Sequence, residues 1–375
     1  MNRTKNISII GFSDIVGSAI SAIFWFYLAT LLTPEGYGKI FYFLGVAGLI
    51  SYVSSIGTQN LVTVYSAKKV QINSELYSLT IPATTIAAIV TVFFIQRFDV
   101  GLLIFGYVVF NLAVGQVLGE RDYKKYTYIN LLQKSLTPVL GLGFFFLFGV
   151  ESIIYGLALS YVFHASIILK KIKIRNFNFL ELKERWKFIF SNYINNLSNG
   201  FNSQIDKLII VPIFGFSVLG NYSLAIQFML ILLIIPNTIY KYLLAEASSG
   251  IFNRKLEKQI CIIAVFLTIV VILLSPLIIP SFFPKYIDSV EFIRIMSLSI
   301  LPITISKIYL VSLLSQEKGT TALFGTLISI IIFIIGILSL GVFFGNTGIA
   351  ITYVISTVSQ TIFFYVTNKL AKKTV

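Results

Sequence analysis

Apolar blocks of membrane length, separated by short charged segments, run along the whole chain. The clearest is the run of fifty residues from Gly319 to Asn368, which contains no Asp, Glu, Lys, Arg or His. A helix needs roughly 20 apolar residues to cross the hydrocarbon core of a bilayer. This block therefore predicts two membrane-spanning helices joined by a tight turn at residues 344–348.

The rest of the chain follows the same pattern and predicts twelve spans in total. The blocks are long and continuous, whereas the strands of a membrane barrel are short and alternate in polarity, so we expect helices. The predicted fold class is an all-α integral membrane protein with about twelve transmembrane helices. The predicted spans are 7–32, 39–66, 76–96, 100–118, 127–148, 152–169, 187–214, 219–244, 259–283, 289–314, 320–344 and 347–368.

The positive charge is unevenly distributed between the two ends of these spans. The net charge is +14, which in a soluble protein would suggest a nucleic-acid partner. With the N-terminus in the cytoplasm, 21 Lys and Arg residues fall in cytoplasmic segments, against only Lys39, Arg97 and Lys285 on the other side. This bias is the positive-inside signal of membrane insertion. It predicts a multi-pass protein with both termini in the cytoplasm and no nucleic-acid partner.

An internal repeat divides the predicted spans into two sets of six. The longest polar segment predicts a basic cytoplasmic linker at 170–187, between lobes at 1–169 and 188–375. A shift of 182 positions brings the halves into register and places Gly38 on Gly220. Six helices preserve orientation, so the repeats are parallel and related by a twofold axis along the membrane normal. We expect two six-helix lobes around a central cavity, an arrangement suited to alternating access.

Polar side chains form a narrow stripe on the seventh predicted span. The spacing of 4, 3, 4 and 3 residues places them on one helical face. The residues are Asn192, Asn196, Asn199, Ser203 and Asp206. The 182-residue shift carries Asn196 onto Asp14 and Ser203 onto Ser21, so the first predicted span has a matching stripe. Both stripes are predicted to line a cavity. The alternative is that they hydrogen-bond to neighbouring helices and only hold the bundle together.

Charges within the spans are few. Asp206 and Lys207 are adjacent, and their Cβ atoms diverge by about 100°, which predicts that they do not pair side by side. Lys207 pairs with an acid elsewhere, binds an anionic substrate, or extends its ammonium group to the membrane surface. Asp14, Asp206 and His164 are the candidates for H⁺ or Na⁺ coupling. The single cysteine, Cys261, excludes an internal disulfide and a CxxC site, and the sequence predicts no metal site.

Short motifs in both halves resemble those of a transporter family. Residues 29–38 (ATLLTPEGYG) and 55–60 (SIGTQN) lie in the first half. Residues 205–210 (IDKLII), 220–223 (GNYS) and 235–237 (IPN) lie in the second. The chain resembles the polysaccharide transporters, or O-antigen flippases, of the multidrug/oligosaccharidyl-lipid/polysaccharide exporter superfamily. The resemblance implies a bacterial inner-membrane protein whose central cavity is lined mainly by its first, second, seventh and eighth helices.

The residues and the resemblance together predict a transporter without enzymatic activity. No phosphate-binding glycine loop and no cluster of catalytic side chains occurs in the sequence, so we expect neither catalytic residues nor a cofactor. The resemblance implies a flippase for undecaprenyl-pyrophosphate-linked oligosaccharide, serving O-antigen, lipopolysaccharide or similar polysaccharide assembly. Lys207 would bind the pyrophosphate, and the Asn and Ser side chains would bind sugar hydroxyls. Membrane lipids and a polysaccharide polymerase are the other expected partners. The alternative is a cation-coupled multidrug exporter of the same superfamily.

Overall fold

A computed structural model describes residues 3–70, 72–169, 179–247, 254–316 and 318–373. Every regular element in these ranges is a helix, and none of them contains a strand. The predicted all-helical class is therefore confirmed. The α-helices, in chain order, are α1 Arg3–Leu31, α2 Pro34–Ser54, α3 Gln59–Ala67, α4 Asn73–Ile95, α5 Phe98–Gly119, α6 Tyr123–Phe148, α7 Ile153–Val162, α8 Ala165–Leu169, α9 Phe179–Glu184, α10 Trp186–Leu232, α11 Ile234–Ala247, α12 Arg254–Phe282, α13 Ser289–Ser297, α14 Ile300–Ser315, α15 Gly319–Gly336 and α16 Val342–Lys373.

The described residues contain nine helical segments long and apolar enough to cross a membrane. A tenth span is formed if α13 and α14, which meet at a 42° bend, are taken together. Two of these segments include a glycine with positive φ, Gly215 in α10 (φ 83°) and Gly345 in α16 (φ 57°). Each glycine lies where the sequence predicts the end of one span and the start of the next. The apolar helices are those of a multi-pass membrane protein, and the two glycines coincide with predicted boundaries between spans.

The predicted second span, 39–66, is wrong because the helix is interrupted. Helix α2 ends at Ser54 and α3 begins at Gln59. Thr58 caps α3, its hydroxyl accepting a hydrogen bond from the backbone N–H of Leu61 at 3.1 Å. The backbone N–H of Gly57 donates to the Thr80 hydroxyl at 2.7 Å. These side-chain partners satisfy backbone groups that a continuous helix would have bonded internally.

Two further predicted spans are broken beside a proline. The predicted span 219–244 is divided at Leu233, between α10 and α11, with Pro236 in the first turn of α11. The predicted span 289–314 is divided between α13 and α14, with Pro302 in the first turn of α14. Proline lacks a backbone N–H, so it is tolerated at the start of a helix but not in its interior.

The chain groups into two compact units. The first contains Met1–Leu28 and Tyr42–Ile205, and the second contains Ala29–Phe41 and Asp206–Val375. Helix α10 therefore contributes residues to both units. The predicted lobes, 1–169 and 188–375, stay predictions. Of the predicted linker, residues 170–178 lie outside the described residues, and α9 follows them.

In the first unit, α5 packs against α3, α4 and α7, and α6 packs against α7. Part of its core consists of fully buried aliphatic and aromatic side chains that include Leu61, Val62, Ile72, Leu76, Tyr77 and Leu112. A buried ion pair lies at the turn from α4 to α5. Arg97 binds Asp99 at 2.7 Å and also contacts Glu151, and the Asp99 side chain is only 2% exposed. The pKa of Arg97 is raised, chiefly by its hydrogen bond to Asp99.

In the second unit, α16 packs against α13, α14 and α15, and α14 packs against α11 and α12. Tyrosines Tyr37, Tyr222 and Tyr286 are completely or almost completely buried here. The rings of Tyr37 and Tyr286 meet edge to face, with centroids 5.8 Å apart. Residues from the first half of the sequence thus form part of the core of this unit.

The start of α2 crosses α10 with backbone against backbone in the second unit. A Cβ atom added at Gly38 would overlap the carbonyl oxygen of Phe216. A Cβ atom added at Gly220 would overlap the carbonyl oxygen of Pro34. Only glycine allows the two helices to approach this closely.

Candidate functional site

Helix α10 carries the predicted stripe of polar side chains. Asn199 and Ser203 are exposed, whereas Asn192 and Asn196 are half-buried. The Asn192 amide nitrogen donates to the carbonyl oxygen of Phe188 at 3.0 Å, and the Ser203 hydroxyl donates to that of Gly200 at 3.2 Å. These two side chains therefore bond within their own helix. The stripe was predicted from spacing alone, and the continuity of α10 over residues 186–214 supplies the regular helix on which that spacing depends.

Two amides of the stripe have no hydrogen-bond partner among the residues that the structure describes. Within the described ranges, the side chains of Asn196 and Asn199 form no hydrogen bond. Ser198, on another face of the same turns, is buried and donates to the carbonyl oxygen of Ile194 at 3.0 Å. An amide without a partner is stable only where water or a polar ligand reaches it. Asn196 and Asn199 are thus available to bind a polar molecule.

The neighbouring face of α10 packs tightly against α2 within the first unit. A Cβ atom at Gly200 would meet the ring of Tyr52 at 2.6 Å, and one at Gly48 would meet the Gln204 side chain at 2.8 Å. The Tyr193 hydroxyl donates to the carbonyl oxygen of Val53 at 2.7 Å. These contacts fix one side of α10 and leave the side that carries Asn199 exposed.

Asp206 and Lys207 form an ion pair, so the prediction that they do not pair is wrong. The Lys207 ammonium lies 3.1 Å from Asp206 Oδ1, and each side chain is 13% exposed. The prediction considered only the directions of the Cβ atoms. The flexible four-carbon stem of lysine lets its ammonium group turn back to the preceding carboxylate.

The second oxygen of Asp206 is bound by a buried tyrosine. The Tyr222 hydroxyl donates to Asp206 Oδ2 at 3.2 Å, and Tyr222 is 1% exposed. Asp206, Lys207 and Tyr222 thus form a cluster in the second unit, which we call the Asp206 cluster. Lys207 follows Ser203 by one helical turn, so its cation lies at the end of the α10 stripe. Tyr222 lies in the 220–223 motif, but its contact with Asp206 was not predicted, because their spacing depends on the bend at Gly215.

Asp14 lies in a second cluster, in the first unit. The Tyr126 hydroxyl of α6 donates to Asp14 Oδ1 at 2.8 Å. The stem of Lys134, also in α6, packs against Gly17. Asn130 of α6 donates to the Ser13 hydroxyl at 3.0 Å. This Asp14 cluster thus joins α1 to Tyr126 and Asn130 of α6, partners that helical spacing within α1 did not predict.

The other predicted site residues are placed separately. Ser21 is half-buried in α1, two turns after Asp14. His164 is 3% exposed at the junction of α7 and α8, where its Nδ1 lies 3.2 Å from the carbonyl oxygen of Tyr161 and its ring meets Phe110. Its Nε2 is buried and makes no hydrogen bond to the described residues. Those same residues bring no three His, Cys, Asp or Glu side chains together as metal ligands.

Sequence comparison connects the chain to polysaccharide biosynthesis. A family profile described as Polysaccharide biosynthesis protein matches residues 100–257, which include most of α5 and all of α10. No curated protein matches the chain in sequence. The matched segment contains the α10 stripe and the Asp206 cluster.

Solved structures share the fold over nearly the whole chain. The chain is similar to the lipid II flippase MurJ in an inward closed conformation, with a TM-score of 0.76, 14% identity, and coverage of 96% of this chain and 87% of that one. It is also similar to a multidrug resistance MATE family transporter of the MOP superfamily. For the inward-facing form the TM-score is 0.72 at 14% identity, covering 95% and 94% of the two chains. For the outward-facing form it is 0.62 at 14% identity, covering 99% and 96%.

The chain therefore shares its fold with the MurJ flippase and with the MATE family transporter, and the predicted resemblance to polysaccharide transporters is confirmed.

Proposed function

We propose that this chain, with its superfamily fold, is a flippase for undecaprenyl-pyrophosphate-linked oligosaccharide repeat units. It would move them from the cytoplasmic to the external leaflet by alternating access, for assembly of O-antigen or a similar surface polysaccharide. The proposed location is the bacterial cytoplasmic membrane, with both termini in the cytoplasm. A polysaccharide polymerase would use the translocated unit.

The α10 stripe is the observation that carries this proposal. Asn196 and Asn199 present amides that form no hydrogen bond to the described residues, and Asn199 and Ser203 are exposed. An amide both donates and accepts hydrogen bonds, which matches the donor and acceptor character of sugar hydroxyls. Lys207 places a cation one turn beyond Ser203, where an anionic pyrophosphate would be attracted. One helix thus offers groups for both polar parts of the substrate.

The Asp206 cluster suggests how substrate binding would change the site. The Lys207 ammonium is paired with Asp206 Oδ1 at 3.1 Å. A pyrophosphate would compete with the carboxylate for the ammonium group. Asp206 would then keep the hydrogen bond from Tyr222 and be open to H⁺ or Na⁺. Asp206 is thus a candidate for gradient coupling, together with Asp14 and His164.

The alternative function is a cation-coupled multidrug exporter. The MATE family transporters with the same fold make this the relevant competitor. A cavity for cationic drugs favours carboxylates and aromatic faces over amides and a lysine. The amide stripe, Lys207 and the polysaccharide biosynthesis profile favour the flippase. The two proposals differ in the charge of the transported molecule.

The proposal is tested by the sidedness of lipid-linked sugar in membrane vesicles. Vesicles would be prepared from cells with and without the protein, and undecaprenyl-linked sugar on each leaflet would be measured by its accessibility to a membrane-impermeant probe. We expect the lipid-linked unit to accumulate on the cytoplasmic leaflet only when the protein is missing. An unchanged distribution, together with protein-dependent efflux of a cationic dye, would favour the exporter.

A further inference from the structure

A cavity of about 360 Å³ lies within the second unit, at the start of α12 and the ends of α14 and α16. It is separate from the α10 stripe and from the Asp206 cluster, because none of their residues lines it. Its walls combine one cation, one carboxylate, several polar side chains and an apolar surface. The lining residues are Arg254, Glu257, Ile308, Tyr309, Ser312, Gln316 and Asn368.

Arg254 and Glu257 place opposite charges in the first turn of α12. They are three residues apart and therefore neighbours on the helix surface. Among the residues the structure describes, neither forms an ion pair within 4.0 Å. Both charges line the cavity, so a ligand that carries a positive and a negative group would satisfy the two together.

Asn368 of α16 contributes an acceptor to the lining of the cavity. It is only 5% exposed, and its amide nitrogen donates to the carbonyl oxygens of Tyr309 at 3.2 Å and Phe364 at 2.9 Å. These two bonds fix the orientation of the amide. Its Oδ1 has no hydrogen-bond partner among the described residues and remains to accept from a ligand.

Ser312 and Gln316 continue the polar wall along α14. The Gln316 amide nitrogen donates to the Ser312 hydroxyl at 3.3 Å, and its oxygen accepts from the Lys318 ammonium at 2.9 Å. Ser312 can therefore direct its own hydrogen into the cavity. A hydroxyl donor close to Arg254 is suited to a phosphate oxygen.

Aromatic side chains beside the cavity are typical of the membrane interface. The rings of Tyr309 and Tyr365 lie 5.6 Å apart, Tyr365 is 47% exposed, and the Lys369 ammonium lies over the Tyr365 ring. Tyrosine and lysine concentrate at the level of lipid headgroups. Lys255, Lys258 and Lys318 flank the same end of the helices, which is the predicted cytoplasmic end.

We propose that this cavity binds the headgroup of a zwitterionic aminophospholipid, with Arg254 and Ser312 on the phosphate and Glu257 and Asn368 on the primary ammonium. A phosphoethanolamine headgroup carries both charges a short distance apart, as the first turn of α12 does. A purely anionic headgroup would leave Glu257 unpaired beside the phosphate. The acyl chains would lie against the exposed apolar side chains outside the cavity. This site does not depend on which substrate the chain transports.

The proposal is tested by native mass spectrometry of the purified full chain in detergent. The probes are phosphatidylethanolamine, phosphatidylcholine and phosphatidylglycerol with identical acyl chains. Phosphatidylcholine is the matched control, because its trimethylated nitrogen has no N–H to donate to Glu257. We expect the wild type to prefer phosphatidylethanolamine over phosphatidylcholine about tenfold, as loss of one charge-assisted hydrogen bond implies.

Three variants separate the contributions of the charged side chains of α12 to lipid binding. E257Q should abolish the preference for phosphatidylethanolamine over phosphatidylcholine. R254Q should weaken binding of all three lipids, because each carries the phosphate. K255Q removes a charge from the same helical turn at an exposed position that does not line the cavity, and it should bind as the wild type does. Size-exclusion profiles and thermal unfolding establish that each variant is folded.

The binding measurements support or overturn the proposed lipid site as follows. Equal retention of phosphatidylethanolamine by the wild type, R254Q and E257Q would overturn it, as would equal binding of phosphatidylethanolamine and phosphatidylcholine. Soluble phosphoethanolamine is the second probe. Displacement of the bound lipid by phosphoethanolamine, but not by inorganic phosphate, supports recognition of the whole headgroup. Tight binding of inorganic phosphate without lipid selectivity would assign the cavity to a soluble anion and overturn the lipid site.

Discussion

Gly38 and Gly220 lie in reciprocal contact where the start of α2 crosses α10. Gly38 faces the carbonyl of Phe216, and Gly220 faces the carbonyl of Pro34. The 182-residue shift that relates the two halves of the sequence carries Pro34 onto Phe216 and Gly38 onto Gly220. The same contact is therefore made twice, with the roles of the two helices exchanged. The relationship agrees with the parallel repeat predicted from the sequence.

Alanine at either glycine should destabilise the protein. A methyl group at Gly38 or Gly220 would overlap backbone, which cannot move as a flexible side chain can, so we expect a loss of about 1–3 kcal/mol. Thermal unfolding in detergent measures it. G143A is the matched control, because nothing lies within 4 Å of a Cβ atom there and alanine favours a helix. An unchanged Tm for both G38A and G220A would contradict the close crossing.

The ion pair at the turn from α4 to α5 should be important for stability. R97A leaves the Asp99 carboxylate buried without its partner, a loss of about 3–5 kcal/mol. The K39A change removes the Lys39–Glu35 pair, whose side chains are 41% and 62% exposed, and should cost less than about 1 kcal/mol. The raised pKa of Arg97 keeps its side chain charged at neutral pH. The difference in unfolding free energy between R97A and K39A should therefore not vary with pH near neutrality. Similar unfolding midpoints for R97A and K39A would show that Arg97 contributes no more than a surface charge.

Removing the charge of Lys207 should impair transport while leaving insertion intact. We expect K207Q to lower the amount of exported glycan about tenfold or more, since it removes the cation proposed to bind pyrophosphate. K207R preserves the charge and should retain most activity. The measurement is surface polysaccharide at matched protein levels in the membrane. Normal export by K207Q would assign Lys207 to a structural role in the Asp206 cluster.

The amides of Asn196 and Asn199 should be needed for transport but not for stability. N196L and N199L remove sugar-binding groups, and because no hydrogen bond to the described protein is lost, the unfolding midpoint should stay close to that of the wild type. N196Q and N199Q retain an amide and should keep part of the export activity. If the leucine variants export normally, the stripe does not bind the sugar.

The sequence was informative about helices and less so about their interruptions. Apolar length predicted the spans, and two of their boundaries fall at Gly215 and Gly345, where positive φ bends a continuous helical segment. The break at residues 55–58 was missed because it depends on a hydrogen bond from Gly57 to Thr80, which lies 23 residues away. Hydropathy does not report such a partner.

Only part of the candidate site was predicted, because some of its contacts also join residues that are distant in the sequence. Helical spacing identified the Asn and Ser residues of α10, since one helix positions all of them. The tyrosines that bind the two acids were not predicted. Tyr126 lies 112 residues from Asp14, and Tyr222 approaches Asp206 only because α10 bends between them. Contacts formed by tertiary packing leave no local signal in a single sequence.

The reciprocal glycine crossing also bears on how a chain of this kind could have originated. In a twofold dimer, a residue of one copy contacts a partner in the second copy, and the equivalent contact is repeated with the copies exchanged. Gly38 with Phe216 and Gly220 with Pro34 follow this rule within a single chain. A half-length ancestor with one such segment would have paired with its own copy through the same crossing. Gene fusion would then have preserved an interface that already existed, in which each glycine lies against the backbone of the other half.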